Sequence, residues 1–406
     1  MPKIKIAIIG VGYVGATCAA CFSELGFDVK IFDKIADKPE RLLRGSAGIE
    51  EDGLNELIQK NLCRISTSST IQDLEDCDVF FLCVDTPFNG YHLDVGSIKN
   101  VLHALISSFK HSIHSKEIVV RSTVQPGLLD CLRSEISNFD DYPVFLNPEF
   151  LREGSALSDF FDPPKIIIGE NKVKSKLLRG IYEMFEKPVV CSNFTTVEYT
   201  KLIDNSWHAV KVAFANELGR ILKRDSIDVD AAIDIFLSDR KLNLSDKYLR
   251  PGNAFGGSCL SKDLQALAAI GASRDLNTEL LASALSSNEA HIRLQVAGII
   301  ESVKEQNLIL CNVAFKLGTN DLRETHVLKI GKQLRSLGKT IFYCDENLTL
   351  EKIGIPQVKI GNQIDEQFSQ GFIDISEVRN IADAKIVRFD AMGYQILDEI
   401  KKGYTE

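Results

Sequence analysis

Residues 252–263 read GNAFGGSCLSKD and set one thiol in an unusual place. Gly256 and Gly257 remove side chains where backbone could approach a ligand. Cys259 stands just ahead of a helix expected to start near Ser261. A helix N-terminus and the neighbouring Lys262 both favour thiolate, so the chemistry on offer is nucleophilic attack. The other nine cysteines have no such setting and read as packing residues. Cys18 and Cys21 form CAAC, but within an alanine-rich helical run where small core residues are expected and no metal site is implied.

A second group of polar residues falls on one helical face. Lys201, Asn205, His208, Val212 and Asn216 follow steps of four, three, four and four, which keeps them in one narrow stripe. A solvated face is usually richer in Glu and Lys, so two Asn and a His in register with a Lys read as a binding stripe. In NPEFLREGSA, Glu149 and Glu153 are four apart and would share a face on a helix. A carboxylate beside a thiol could position water or move a proton, and a surface turn explains the pair equally well. Arg250, Lys316 and Arg323 are open in the same way when taken singly.

The clearest ligand signal lies at the other end of the chain. Ile4–Ile9 runs into GVGYVG, with Gly10, Gly12 and Gly15, then a helical stretch, then VKIFD. Gly10 permits the tight turn, Gly12 admits a pyrophosphate, Gly15 lets helix pack on strand, and the helix N-terminus faces the phosphates. Asp33 follows Gly15 by 18 residues, where a carboxylate accepts from a ribose diol and repels a 2′-phosphate. Thr86 in FLCVDTP and Thr123 in VVRSTVQPG also stand at strand ends, where turn chemistry and ligand binding both call for Thr.

These residues need a scaffold. Short β-rich runs at Ile4–Ile9, Val29–Phe32, Val79–Val84, Ile118–Val120, Val144–Leu146 and Ile166–Ile168 alternate with helical stretches, the pattern of a mostly parallel sheet covered on both faces. After Val189–Cys191 a long helix is expected over Thr196–Lys223, then helical periodicity through Asp230–Leu237 and again from Ser261 to Glu301. Leu308–Val313, a helix over His326–Leu337, and Thr340–Tyr343 form a second strand–helix–strand unit. The last sixty residues are weakly patterned. The architecture is α/β, then all-helical, then α/β.

The 406 residues suffice for two or three domains, and 45% hydrophobic with 25% charged is ordinary for a globular chain. A net charge of −9 argues against a nucleic-acid or anionic-membrane partner, while leaving room for one anionic small molecule. No apolar run approaches a membrane span, and the amino end reads as a buried strand in place of a cleavable signal. The scattered cysteines point to a reducing cytoplasm.

Taken together, GVGYVG, RSTVQPG, NPEFLRE, EYTKLIDN, GGSCLSKD and FKLGTNDLRE resemble, in register, the UDP-glucose/GDP-mannose dehydrogenase family over about residues 4–345. NSWHAVKVAFANELGRI and the segment from Lys241 to Cys259 look most like its GDP-mannose branch. The resemblance implies a doubly wound Rossmann domain binding NAD over 1–193. It also implies an all-helical dimerisation and catalytic domain over 194–300, and a smaller Rossmann-like domain gripping the nucleotide sugar over 301–406. On the NAD side it puts Gly10, Gly12, Tyr13, Val14, Gly15, Asp33, Lys38, Thr86, Thr123, Lys262 and Arg323. On the sugar-nucleotide side it puts Glu153, Lys201, Asn205, His208, Asn216, Tyr248, Arg250, Gly256 and Lys316. Arg250 would reach the neighbouring subunit's site, which implies at least a homodimer.

The implied reaction is a four-electron oxidation with two NAD in sequence. Cys259 captures an aldehyde as a thiohemiacetal that is oxidised to a thioester, and Glu153, Lys201, Asn205, Asp263 and Thr123 serve water, protons and the oxyanion. The chain departs from the family pattern at Asp85 (usually Gly), Ser261 (usually Pro) and Asn253 (often aromatic), and lacks a clear terminal strand after Asp345. The competing readings are UDP-glucose or UDP-N-acetylmannosamine as substrate, a two-electron hydroxyacid dehydrogenase, and a non-catalytic sugar-nucleotide binder.

Overall fold

The computed structural model describes residues 4–110, 112–224, 226–241, 248–314, 319, 321–345, 383–390 and 393–397. These pack as two compact units, Met1–Asp204 and Asn205–Glu406.

The first unit carries strands β1 (Lys5–Ile9), β2 (Asp28–Phe32), β3 (Ile65–Thr67), β4 (Val79–Leu82), β5 (Glu117–Val120), β6 (Val144–Leu146), β7 (Ile166–Gly169) and β8 (Val189–Ser192). They form one sheet in the order β3-β2-β1-β4-β5-β6-β7-β8. β1 to β6 run parallel to their neighbours, and β7 turns antiparallel against β6. Ile6 and Ile8 enter one core cluster while Ala7 and Ile9 enter another, so β1 buries both faces. Helices α1 (Tyr13–Glu24), α2 (Asp37–Leu43), α3 (Leu54–Lys60), α4 (Gly96–Ser108), α5 (Leu128–Glu135), α6 (Ala156–Phe161) and α7 (Leu177–Tyr182) complete this unit. The strand order places a crevice between β1 and β4, where the winding direction reverses.

A long helix, α8 (Phe194–Arg224), starts in the first unit and continues into the second. The second unit adds α9 (Val229–Leu237), α10 (Gly257–Ala272) and α11 (Glu279–Ser302). It then forms a small sheet from β9 (Asn307–Cys311), β10 (Thr340–Cys344), β11 (Ala384–Asp390) and β12 (Gly393–Leu397), with α12 (His326–Ser336) joining β9 to β10. The succession of doubly wound sheet, helices and smaller α/β sheet agrees with the expected fold class.

Three expectations need correction. α10 begins at Gly257, not near Ser261, so Cys259 sits inside its first turn. The chain beyond Asp345 does form strands: β11 pairs parallel with β9, and β12 pairs antiparallel with β11. NPEFLREGSA is not helical, so Glu149 and Glu153 share no helical face. Gly154 adopts φ +75°, a left-handed conformation that interrupts a helix there, and α6 starts only at Ala156.

Candidate active site

In the first unit the GVGYVG turn joins β1 to α1. Gly10 takes φ +94°, and a Cβ there would lie 2.7 Å from the Cys83 carbonyl oxygen at the end of β4. A Cβ on Gly15 would fall on the Gly10 carbonyl oxygen, so both glycines are required by close protein–protein approach. Gly12 is the opposite case, because a Cβ there meets nothing within 4 Å. It is also the N-cap of α1, with no side-chain cap and no acidic residue in the first turn. Free backbone N–H groups at an open, uncharged helix start fit a dinucleotide pyrophosphate. Val14 packs against the neighbouring core and leaves that face to the backbone.

Asp33 follows β2 with its side chain only 7% exposed. Its carboxylate accepts from Val11 N at 2.7 Å and Ile35 N at 2.9 Å, and Lys38 Nζ lies 3.5 Å away. Each oxygen retains a lone pair for a ribose hydroxyl. Across the crevice Ser122 donates to the Leu82 and Val84 carbonyls at 3.2 and 2.7 Å, tying together the turns that carry Thr86 and Thr123. Thr86 is buried, Thr123 is half-buried, and Asp85 is exposed.

Two carboxylates that the sequence reading missed hold these loops. Glu51 accepts from the Tyr13 hydroxyl and from Gly154 N and Ala156 N at 2.6 and 2.7 Å, linking the start of α1 to the segment carrying Glu153. Burial, and then the contact with Glu51, push the Tyr13 hydroxyl well above its ordinary pKa. Glu198 on α8 accepts from Gly127 N and Leu129 N at 2.8 and 3.1 Å, fixing the start of α5 just beyond Thr123. Burial raises its pKa, and those two backbone donors oppose the shift. Both contacts span long stretches of sequence, so no local pattern signals them. Glu153 itself is half-buried, and it is Glu149 that pairs with Lys201, at 3.0 Å.

In the second unit the stripe on α8 turns inward. Asn205 and Asn216 are buried, while His208 and Val212 are half-buried. Asn205 Nδ2 donates to Asp263 at 2.6 Å, and Lys262 Nζ contacts the other oxygen of that carboxylate at 2.6 Å. Asp263 is fully buried one helical turn beyond Cys259, which is half-buried. Lys262 therefore meets a carboxylate directly. His208 stacks on Tyr248 with ring centroids 4.8 Å apart, and Tyr248 holds a left-handed φ of +65°.

Asn216 clamps the loop before Cys259, accepting from Gly252 N at 2.9 Å and donating to Asn253 O at 3.2 Å. Gly256, at the N-cap of α10, is also closely packed. Its close neighbour is protein backbone, since a Cβ there would lie 2.6 Å from Glu324 O. Arg250 pairs with Asp234 at 2.8 Å, and Arg323 with Asp321. Lys316 lies outside the described residues. Cys18 and Cys21 are fully buried, in keeping with a packing role.

A dinucleotide half with two glycine-enforced contacts and a thiol at a helix start define a nucleotide-dependent oxidoreductase. Residues 4–186 match the NAD-binding domain of the UDP-glucose/GDP-mannose dehydrogenase family, and residues 195–290 match its central domain. The chain belongs to that family, and its cofactor is NAD. A GDP-mannose 6-dehydrogenase of Pseudomonas aeruginosa is 35% identical over 400 residues, covering 95% of this chain and 91% of that protein. A UDP-glucose dehydrogenase from the hyperthermophilic archaeon Pyrobaculum islandicum superposes with a TM-score of 0.84 at 26% identity, covering 96% of this chain and 90% of the other. A ternary complex of GDP-mannose dehydrogenase from Pseudomonas aeruginosa gives a TM-score of 0.57 at 32% identity, covering 95% and 96%. Among the described residues no helix is long and apolar enough to cross a membrane.

Proposed function

We propose that the chain oxidises the C6 alcohol of a nucleotide sugar to the carboxylate through a covalent intermediate on Cys259, with GDP-mannose as the sugar nucleotide. The observation that carries this reading is the α10 arrangement, a half-buried thiol in the first helical turn and a fully buried carboxylate four residues on, bonded to Asn205 and Lys262. A two-electron alcohol dehydrogenase has no use for that thiol. The preference for GDP-mannose rests on the 35% identity to the Pseudomonas enzyme and on the residues around Trp207–His208. The TM-score of 0.84 with the UDP-glucose enzyme favours the second reading, UDP-glucose as substrate, but it measures backbone shape and not the side chains that read a base.

NAD, when bound, accepts one hydride at each of the two oxidations. The residues that the family resemblance assigns to holding it are Gly10, Gly12, Tyr13, Val14, Gly15, Asp33, Lys38, Thr86, Thr123, Lys262 and Arg323. The balance is one alcohol, one water and two NAD giving one carboxylate, two NADH and three protons. Cys259 adds to the aldehyde carbon, and the resulting thiohemiacetal loses its second pair of electrons to become a thioester. Lys201 and Asn205 stabilise the oxyanion, and Glu153 and Asp263 manage the hydrolytic water and its protons. His208, Asn216, Tyr248, Arg250, Gly256 and Lys316 form the sugar-nucleotide side.

The working unit is at least a homodimer, with 194–300 as the dimerisation and catalytic domain between 1–193 and 301–406. Trp207, Phe214, Ile235 and Phe236 leave an apolar face of α8 and α9 exposed, which supports that assembly. Ten free cysteines fit a reducing cytoplasm. The decisive experiment supplies purified enzyme with GDP-mannose, UDP-glucose and UDP-N-acetylmannosamine in turn, counting NADH per sugar and identifying the product. Two NADH per uronate with the highest kcat/KM for GDP-mannose is expected. A higher kcat/KM for UDP-glucose overturns the choice of base, and one NADH per sugar overturns the covalent route.

A further inference from the structure

The loop that delivers Cys259, residues 252–256, is built from Gly, Asn, Ala, Phe and Gly and has little intrinsic preference for one conformation. It is nonetheless held at nearly every residue. Asn288, in the middle of α11 and only 4% exposed, accepts from Phe255 N at 2.8 Å and donates to Phe255 O at 2.9 Å. That is the pairing a neighbouring β-strand would supply, made by one side chain. Only an amide of this length has donor and acceptor at the required reach, because a carboxylate lacks the donor and Leu lacks both.

The same face of α11 continues the clamp. His291 Nε2 lies 2.9 Å from Gly252 O, and Gln295 Nε2 donates to Asn253 Oδ1 at 3.2 Å. Asn253 donates in turn to Asp390 O at 2.6 Å, which gives this departure from the family pattern a use within the fold. With Asn216 on α8 holding the other side, the loop is fixed by contacts from three elements before α10 begins at Gly257. Cys259 comes only two residues later, so an error in where α10 starts is carried directly to Sγ. Misplacement by about 1 Å can cost roughly a hundredfold in rate.

We propose that Asn288 is a positioning residue for Cys259, whose pairing with both backbone groups of Phe255 aims the thiol. This rests on Cys259 being the nucleophile. Its effect falls on the thiol-dependent second oxidation, because the first hydride leaves an alcohol carbon that the thiol has not yet attacked. An asparagine serving stability alone would slow both oxidations alike.

The test uses the full-length enzyme with saturating NAD and limiting sugar nucleotide, resolving the two NADH phases of a single turnover. For Asn288→Asp, the first phase is expected within about threefold of wild type and the second slowed about tenfold or more. The rate at which iodoacetamide labels Cys259, read by peptide mass mapping, is expected to change several-fold. Equal slowing of both phases, or neither phase slowed, overturns the proposal. Should Asn288→Asp fail to fold, His291→Leu, which removes the contact with Gly252, is held to the same outcomes. Cys259→Ser separates the two ideas. A second phase that survives in Cys259→Ser sinks the nucleophile reading itself. A second phase lost in Cys259→Ser but at wild-type rate in Asn288→Asp sinks only the positioning role.

Discussion

The turn at Gly10–Gly15 and the loop at Gly252–Cys259 both place backbone next to chemistry, and they are stabilised in opposite ways. The first is nearly local: β1, α1 and the close approaches at Gly10 and Gly15 fix it, with the Cys83 carbonyl at the end of β4 against Gly10 and Asp33, just after β2, bonding back to Val11. The second borrows its shape from amides on α8 and α11 and from the end of β11, up to 137 residues away. A site that binds a common cofactor can be written in one short motif. A site that must aim one thiol draws on the whole of its unit.

The sharpest way to break this comparison is to remove the thiol. Cys259→Ser keeps a small polar side chain, so folding and NAD affinity should be retained while uronate formation falls by roughly a thousandfold or more. Uronate and NADH yields per enzyme, with a thermal melt as control, check it. A folded variant making two NADH per sugar at near wild-type rate would return Cys259 to the packing residues.

At the local turn a single methyl should suffice. Gly15→Ala drives a Cβ into the Gly10 carbonyl oxygen, where only backbone can give way. About 2–4 kcal/mol of stability and most NAD affinity should be lost. Denaturant unfolding and NAD titration test this, and an unchanged midpoint would mean that α1 packs otherwise.

This contrast also explains what was legible in the sequence. GVGYVG, Asp33 and the α8 stripe were readable because their partners lie within one motif or one helical period. Asn288 and Glu198 were not, since their value depends on Phe255, Gly127 and Leu129 being brought to them. β11 was missed because Ile386 and Val387 are adjacent and both buried, as in a strand covered on both faces, so AKIVRFD shows no alternation. Glu149 and Glu153 misled in the other direction: their spacing mimics a helix, and one left-handed glycine cancels it.

The second unit should also be the more acid-sensitive near its loop. His326 is buried at the start of α12, and burial, then the charges of His291 and Lys329, lower its pKa to about 3. The unfolded chain therefore takes up a proton near pH 6.5 that the folded protein refuses. Stability contributed by the neutral ring is intact above pH 6.5 and falls as pH drops towards 3, by about 2 kcal/mol between pH 7 and 5. His326→Phe should flatten that part of the stability profile. A profile of unchanged slope in the variant would place the acid sensitivity elsewhere.

The smallest expected effect lies in the local turn, at Asp33. Its carboxylate is already tied to Val11 and Ile35, and Lys38 at 3.5 Å offsets part of its charge. Ribose hydroxyls can still donate to the remaining lone pairs, whereas a 2′-phosphate brings about two negative charges against it. Repulsion between like charges a few ångströms apart is worth a few kcal/mol at a partly buried site, and Lys38 reduces that figure. NAD should therefore bind better than NADP in the wild type. Asp33→Asn removes the charge but keeps an oxygen for one backbone donor, so it should narrow the preference about tenfold, or roughly 1.4 kcal/mol. Titration of both cofactors at one fixed ionic strength measures this, because screening alone would otherwise shift the ratio. If the ratio stays unchanged in the variant, cofactor choice is made by groups other than this carboxylate, and the turn is less self-contained than its glycines suggest.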